Sequence, residues 1–207
     1  MKKENIILVG GGGHAKACLD IILSTNQYKI LGYIDQNELL DTKFGVTYLG
    51  KDEVISNYTG LSKFLITIGQ IKSPETRISM FQKLKTAGAK LATVISPYAI
   101  ISNFSTIGEG TIVMHGVILQ SNSTIGINCI INDNVLIEHD VIVGDHCHIS
   151  TSATLNGDVK IGKKTFIGSN SIISNQIVIG NEVIVGAGSV VIKNINDFKK
   201  VYGNPAK

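Results

Sequence analysis

From Ile95 to Val191 every sixth residue is a branched aliphatic. The series runs Ile95, Ile101, Ile107, Val113, Leu119, Ile125 and onward through Val185 and Val191, seventeen positions in one unbroken phase. Gly108, Gly126, Gly144, Gly162 and Gly180 add a second period of eighteen. Two places before most of the aliphatics sits a small or β-branched residue, as at Thr111, Ser123, Cys129, Cys147, Ala153 and Ser171. A period of six is neither helical nor the alternation of an ordinary strand, so it marks a repeat. Each hexad supplies a short flat strand and a bend, and three hexads close one triangular coil. The aliphatics point to the axis and stack on their equivalents about 4.8 Å away, the spacing of parallel strands. The recurring glycine marks a corner that needs either unusual dihedrals or close backbone approach.

Such hexads resemble the left-handed parallel β-helix of the hexapeptide acyltransferases; the handedness is implied by that resemblance and not by the period. The segment 95–207 is therefore expected to form one domain, with a little over five coils in its regular part.

Residues 1–94 lack the hexad and form the second expected domain. Apolar runs near Asn5–Val9, Lys29–Asp35, Val46–Leu49 and Phe64–Ile68 read as strands. Helical spacing follows Ala15 and Pro74. This alternation predicts a small parallel α/β sheet. The apolar run before the first glycines is too short for a secretion signal and reads as a buried strand. The glycines Gly10–Gly13 follow that strand and open a helix, and Asp35 closes the next strand. That arrangement suits nucleotide binding: glycines admit a phosphate, the helix N-terminus attracts anions, and a carboxylate receives hydroxyl or base N–H groups. Gly10, Gly12 and Ala15 fit the dinucleotide spacing, but the domain is short for a two-halved dinucleotide fold. A mononucleotide or nucleotide sugar is favoured, with Gly13, His14 and Asp35 as its contacts.

Composition excludes several classes. A formal charge of +3 on 207 residues, with lysines scattered rather than interleaved with aromatics, argues against nucleic acid. A mild positive balance suits small phosphate ligands. No apolar run approaches a membrane span. Cys18, Cys129 and Cys147 show no metal or disulfide spacing. Buried thiols in a reducing cytoplasm are expected.

Gly13-His14, Asp35, Thr67-Ile68-Gly69 with Arg77, the solenoid and the closing Gly203-Asn204-Pro205-Ala206 together resemble a bacterial family. It comprises sugar O- and N-acyltransferases that join a Rossmann-like domain to a left-handed β-helix. Its members include sialic acid O-acetyltransferases and N-acetyltransferases of nucleotide-linked 4-amino-4,6-dideoxy sugars. The resemblance implies acetyl-CoA as co-substrate, no metal, and a homotrimer whose active sites lie between subunits.

The segment Ile137–His148 gathers His139, His146 and His148 among three carboxylates. Acyl transfer to an amine or hydroxyl needs a base near neutrality, the histidine range. Two residues past inward Ile137, His139 should sit outside a corner. The matching family histidine is the base and the next acid supports it, which implies His139 and Asp140. The N-acetyltransferases more often carry Glu at the second place, so Asp140 is a shorter-armed departure, and Glu138 is the second choice. Gly157 lies eighteen past His139, leaving open backbone over the ring where a pantetheine arm and thioester fit. Ser169 and Ala187 share another column, and the family implies backbone contacts to coenzyme A there. His148 resembles the family histidine that meets the thioester. His115 and His146 are expected to be exposed.

Three histidines at the spacing of trimeric zinc hydratases are absent, so a metal is not expected. The favoured function is acetylation of the amine of a nucleotide-linked 4-amino-4,6-dideoxy sugar. O-acetylation of sialic acid is the alternative, and a non-catalytic scaffold a remote third.

Overall fold

A computed structural model describes residues 3–207; Met1 and Lys2, with which the sequence opens, lie outside them. The chain forms two compact units, Met1–Val94 and Ile95–Lys207.

The first unit holds β1 (Glu4–Val9), α1 (Gly13–Thr25), β2 (Tyr28–Ile34), β3 (Tyr48–Gly50), the one-turn α2 (Ile55–Tyr58), β4 (Lys63–Ile66), α3 (Glu75–Thr86) and β5 (Lys90–Leu91). Its strands pair in parallel in the order β3-β2-β1-β4-β5. The order follows from composition: Ile6, Ile7 and Leu8 of β1 and Phe64, Leu65 and Ile66 of β4 are fully buried, as central parallel strands covered on both faces must be. The order in which strands are added reverses between β1 and β4, a switch point at whose carboxyl ends open α/β sheets bind ligands. Arg77 of α3 is buried and donates to the carbonyls of Ile66 and Ile68, satisfying backbone acceptors just past β4.

The second unit is a three-sided parallel β-helix. The first face stacks Ile100–Ile101, Ile118–Leu119, Leu136–Ile137, Thr154–Leu155, Ile172–Ile173 and Val190–Val191. The second stacks Thr106–Ile107, Thr124–Ile125, Ile142–Val143, Lys160–Ile161 and Val178–Ile179. The third includes Ile112–Val113, Ile130–Ile131, His148–Ile149, Phe166–Ile167, Ile184–Val185 and Lys200–Val201. Every pairing joins residues eighteen apart until the last coil, where Ile179 bridges Ile195 and side-chain bonds span sixteen. The coil thus continues past Val191, where the strict hexad ends.

The predicted inward column forms the axis: Val113, Ile131, Ile137, Ile149, Leu155, Ile167, Ile173 and Val185 are fully buried. Cys129 and Cys147 are buried with them, and their thiols lie 3.2 Å from Gly144 O and 3.0 Å from Gly162 O. Burial pushes the Cys147 thiol above its usual range.

The two corner requirements fall on different residues. The eighteen-residue glycines answer close approach: a Cβ on Gly162 would lie 2.5 Å from the backbone carbon of Gly180. The left-handed dihedral instead recurs three residues past each inward aliphatic from Ile107 to Val185, as at Asn122 (φ 63°), Asn128 (53°), Asn134 (56°) and Asp140 (62°). Asn and Asp tolerate that region better than other residues with a Cβ, which explains their recurrence there.

Candidate active site

His139 and Asp140 occupy the edge where the chain leaves the first face at Leu136–Ile137 and enters the second at Ile142–Val143. Their ranks in the hexad turn both side chains outward, and both are exposed. Asp140 Oδ2 lies 2.8 Å from His139 Nδ1. The shorter arm therefore reaches the ring. A carboxylate can only accept, so the Nδ1 proton faces Asp140 and Nε2 carries the lone pair. The hydrogen bond that Nδ1 donates to Asp140 holds His139 above its ordinary value, aided by the charges of Asp140, Glu138 and Asp158 and opposed by desolvation. Asp140 is held below the usual carboxylate range, first by a hydrogen bond from Asn122 and then by His139. Asn122 Nδ2 donates to Asp140 Oδ1 at 2.6 Å from one coil earlier. Glu138 contributes through its charge; Asp140 is the carboxylate hydrogen-bonded to the ring.

Gly157 lies in the next coil, in the column of His139. A Cβ there would sit 2.7 Å from both Cε1 and Nε2 of the imidazole. The ring thus lies in the notch that the glycine leaves, with its Cε1–Nε2 edge nearest the missing side chain.

Ser169 and Ala187 share a column, as expected, but on the edge between the third and first faces. Gly188 N–H donates to Ser169 O at 2.8 Å, Ser169 Oγ lies 2.9 Å from Ser150 Oγ, and Ala187 is exposed. The first face separates this column from the His139 edge. His148 belongs to the third face. It is buried at 6% exposure and stands edge-on to Phe166, with centroids 5.1 Å apart. Within the chain His148 is not brought to His139. His115 and His146, expected to be exposed, are half-buried. The His115 ring lies 2.6 Å from Ser96 Oγ and the His146 ring 3.0 Å from Asn128 Nδ2.

In the first unit, Asp35 Oδ2 accepts the Gly11 N–H at 2.7 Å and Oδ1 the Asn37 N–H at 3.1 Å. Asp35 thereby ties the end of β2 to the glycine loop. It lines a cavity of about 630 Å³ with Gly10, Asp52, Glu75, Ser79 and Lys83. Gly13 and His14 lie outside this lining, at the start of α1. Gly13 is exposed with nothing within 4 Å of its Cβ position, and His14 is half-buried beside Gly69. The contribution of α3 to the cavity wall had no sequence signal beyond its helical spacing. Among the described residues no cluster of His, Cys, Asp or Glu is placed to hold a metal. Among them no helix is long and apolar enough to cross a membrane.

Residues 5–84 match the PglD N-terminal domain, and 122–157 and 158–193 each match the bacterial transferase hexapeptide repeat. The UDP-N-acetylbacillosamine N-acetyltransferase of Bacillus subtilis (strain 168) is 31% identical over 111 residues, 54% of this chain and 51% of that one. The match thus spans about half the length of that curated relative. The acetyltransferase domain of PglB from Neisseria gonorrhoeae FA1090, in complex with acetyl coenzyme A, superposes with TM-score 0.93. It is 26% identical, over 100% of this chain and 99% of that one. PerB from Caulobacter crescentus, in complex with CoA and GDP-perosamine, superposes with TM-score 0.91 at 30% identity, covering 98% and 96%.

The chain belongs to the hexapeptide-repeat sugar acyltransferases. Its second unit is the left-handed β-helix of that family, and its first the α/β domain that precedes it. Asp140, one methylene shorter than the Glu that the resemblance leads one to expect, still lies within hydrogen-bond distance of the ring.

Proposed function

We propose that the protein is an acetyl-CoA-dependent N-acetyltransferase acting on the amine of a nucleotide-linked 4-amino-4,6-dideoxy sugar. The observation that carries this reading is the His139 ring, bonded through Nδ1 to Asp140 and presenting Nε2 at the notch over Gly157. There the sugar amine attacks the thioester carbonyl while Nε2 takes its proton. The tetrahedral intermediate collapses with cleavage of the C–S bond, and the imidazolium returns a proton to the departing thiolate. Asp140 fixes the ring and stabilises its charged form. A backbone N–H is the expected oxyanion donor. The nucleotide sits on Gly13, His14 and Asp35 of the first unit. Coenzyme A lies along Gly157, Ser169 and Ala187, with His148 near the thioester.

The separation of the two predicted columns within one chain favours a shared site. Ile100 and Ile172 on the first face are 67% and 43% exposed, and Ile118, Leu136 and Val190 extend the same outward apolar strip. A homotrimer packed through this face would shelter the strip and bring the Ser169–Ala187 edge of one subunit toward His139 of another. Soluble nucleotide-sugar and acetyl-CoA substrates make the cytoplasm the expected compartment.

An amine is favoured over a hydroxyl because the named relatives act on or bind amino sugars. The test is a mass-spectrometric assay with acetyl-CoA and UDP-, dTDP- and GDP-4-amino-4,6-dideoxy sugars beside sialic acid and its CMP derivative. Acetyl gain by an amino sugar alone is expected; gain by a sialic acid alone would overturn the reading.

A further inference from the structure

We infer that Asn122 is a positioning residue for the base: from the preceding coil its amide holds Asp140 so that the other carboxylate oxygen faces His139 Nδ1. The inference rests on the reading of His139 as the base. Three residues form a chain across two coils, Asn122 Nδ2 to Asp140 Oδ1 at 2.6 Å and Asp140 Oδ2 to His139 Nδ1 at 2.8 Å. Asn122 and Asp140 are both corner residues in the left-handed region, at φ 63° and 62°, so their backbones are fixed alike and stacked eighteen apart. What remains free is rotation of the Asp140 side chain, which is 49% exposed. An exposed carboxylate with one partner samples other rotamers; two partners on its two oxygens leave one arrangement. His139 gains directional support that Glu138 and Asp158 do not supply, since these act on the ring through their charge.

Asn122→Gly is the test, because glycine accepts the left-handed dihedral and removes only the amide. Glu182→Gly, at the same rank of the hexad on the edge between the second and third faces (φ 55°), controls for the change of backbone. Two readouts are needed. Titration of the His139 ring by NMR, its signal identified by its loss in His139→Ala, requires no substrate. We expect a midpoint above the ordinary histidine value in the native protein, moved downward in Asn122→Gly and unmoved in Glu182→Gly. Turnover should fall by about tenfold in Asn122→Gly, a part of what general-base catalysis contributes, with no loss in the control. An unchanged or raised midpoint, or full turnover at every pH, would overturn the inference. Asn122→Asp is the second variant should glycine loosen the corner. It keeps size and shape but cannot donate, so turnover should fall; full turnover would again overturn the role. Failure of the base reading shows separately, as near-native turnover in His139→Ala.

Discussion

The imidazole of His139 stands where a side chain on Gly157 would begin: the Cβ position of that glycine is 2.7 Å from His139 Nε2. The two residues are eighteen apart and stacked in one column, Asp158 N–H donating to His139 O at 3.0 Å. A base and an open stretch of backbone are thus brought together by the coil itself.

Gly157→Ala should therefore disable the site while sparing the fold. A real Cβ does not approach other atoms to 2.7 Å, and the imidazole is the part free to move. Its displacement from the notch should lower turnover by at least about tenfold, a fraction of the general-base contribution. Circular dichroism and melting temperature should remain close to native. Unimpaired turnover would mean that the ring position has no bearing on catalysis.

Asp140→Asn should move the pH–rate profile. Asp140 is the main cause that raises His139, so the folded chain favours the protonated ring. That contact stabilises the fold fully below the histidine's unfolded value, and the contribution fades as pH rises through the folded value. Catalysis has the opposite sign, since a base must be unprotonated, and the rate should rise with pH through the folded value. In Asp140→Asn the limb should shift to lower pH, toward about 6.5, while the plateau rate falls. A limb that stays in place would assign it to another group, such as the acceptor amine.

Asp35→Ala should weaken the acceptor and leave acetyl-CoA alone. Asp35 lines the first unit's cavity and anchors the Gly11 N–H. A raised KM for the nucleotide sugar with an unchanged Kd for acetyl-CoA is expected from steady-state kinetics and calorimetry. Equal acceptor KM values would confine Asp35 to shaping the glycine loop.

Light scattering should report three copies of the chain. Ile172→Glu places a carboxylate on the apolar strip of the first face, where Ile172 is 43% exposed. Three such charges near one axis should dissociate the assembly and reduce activity with the β-helix intact. A native monomer would remove the basis for a shared site.

The axis of the β-helix was legible because burial there follows one rule, and the sixfold phase names its members from Val113 to Val191. The corners were less so. Their glycines show that a column is crowded but not whether dihedral or contact is the reason; the structure assigns contact to Gly162 and dihedral to Asn122 and Asp140. Asn122 itself had a signal, being eighteen before Asp140, the same arithmetic that links His139 to Gly157. His148 shows the limit of parity: an outward rank on a strand predicts exposure, yet the residue is buried beside Phe166. In the first unit, the strands are visible as apolar runs. The cavity wall supplied by Glu75, Ser79 and Lys83 is not, because polar residues on α3 read alike whether they face solvent or a cavity.

The most direct test is the turnover of His139→Ala with acetyl-CoA and the preferred amino sugar. The outward ring adds nothing to the aliphatic axis, so the variant should fold, assemble and bind acetyl-CoA as the native chain does. Its turnover should fall by about two to four powers of ten, and His139→Asn should do little better, since shape alone accepts no proton. Near-native turnover in His139→Ala would contradict the account and move the base elsewhere, with His148 the next residue to replace.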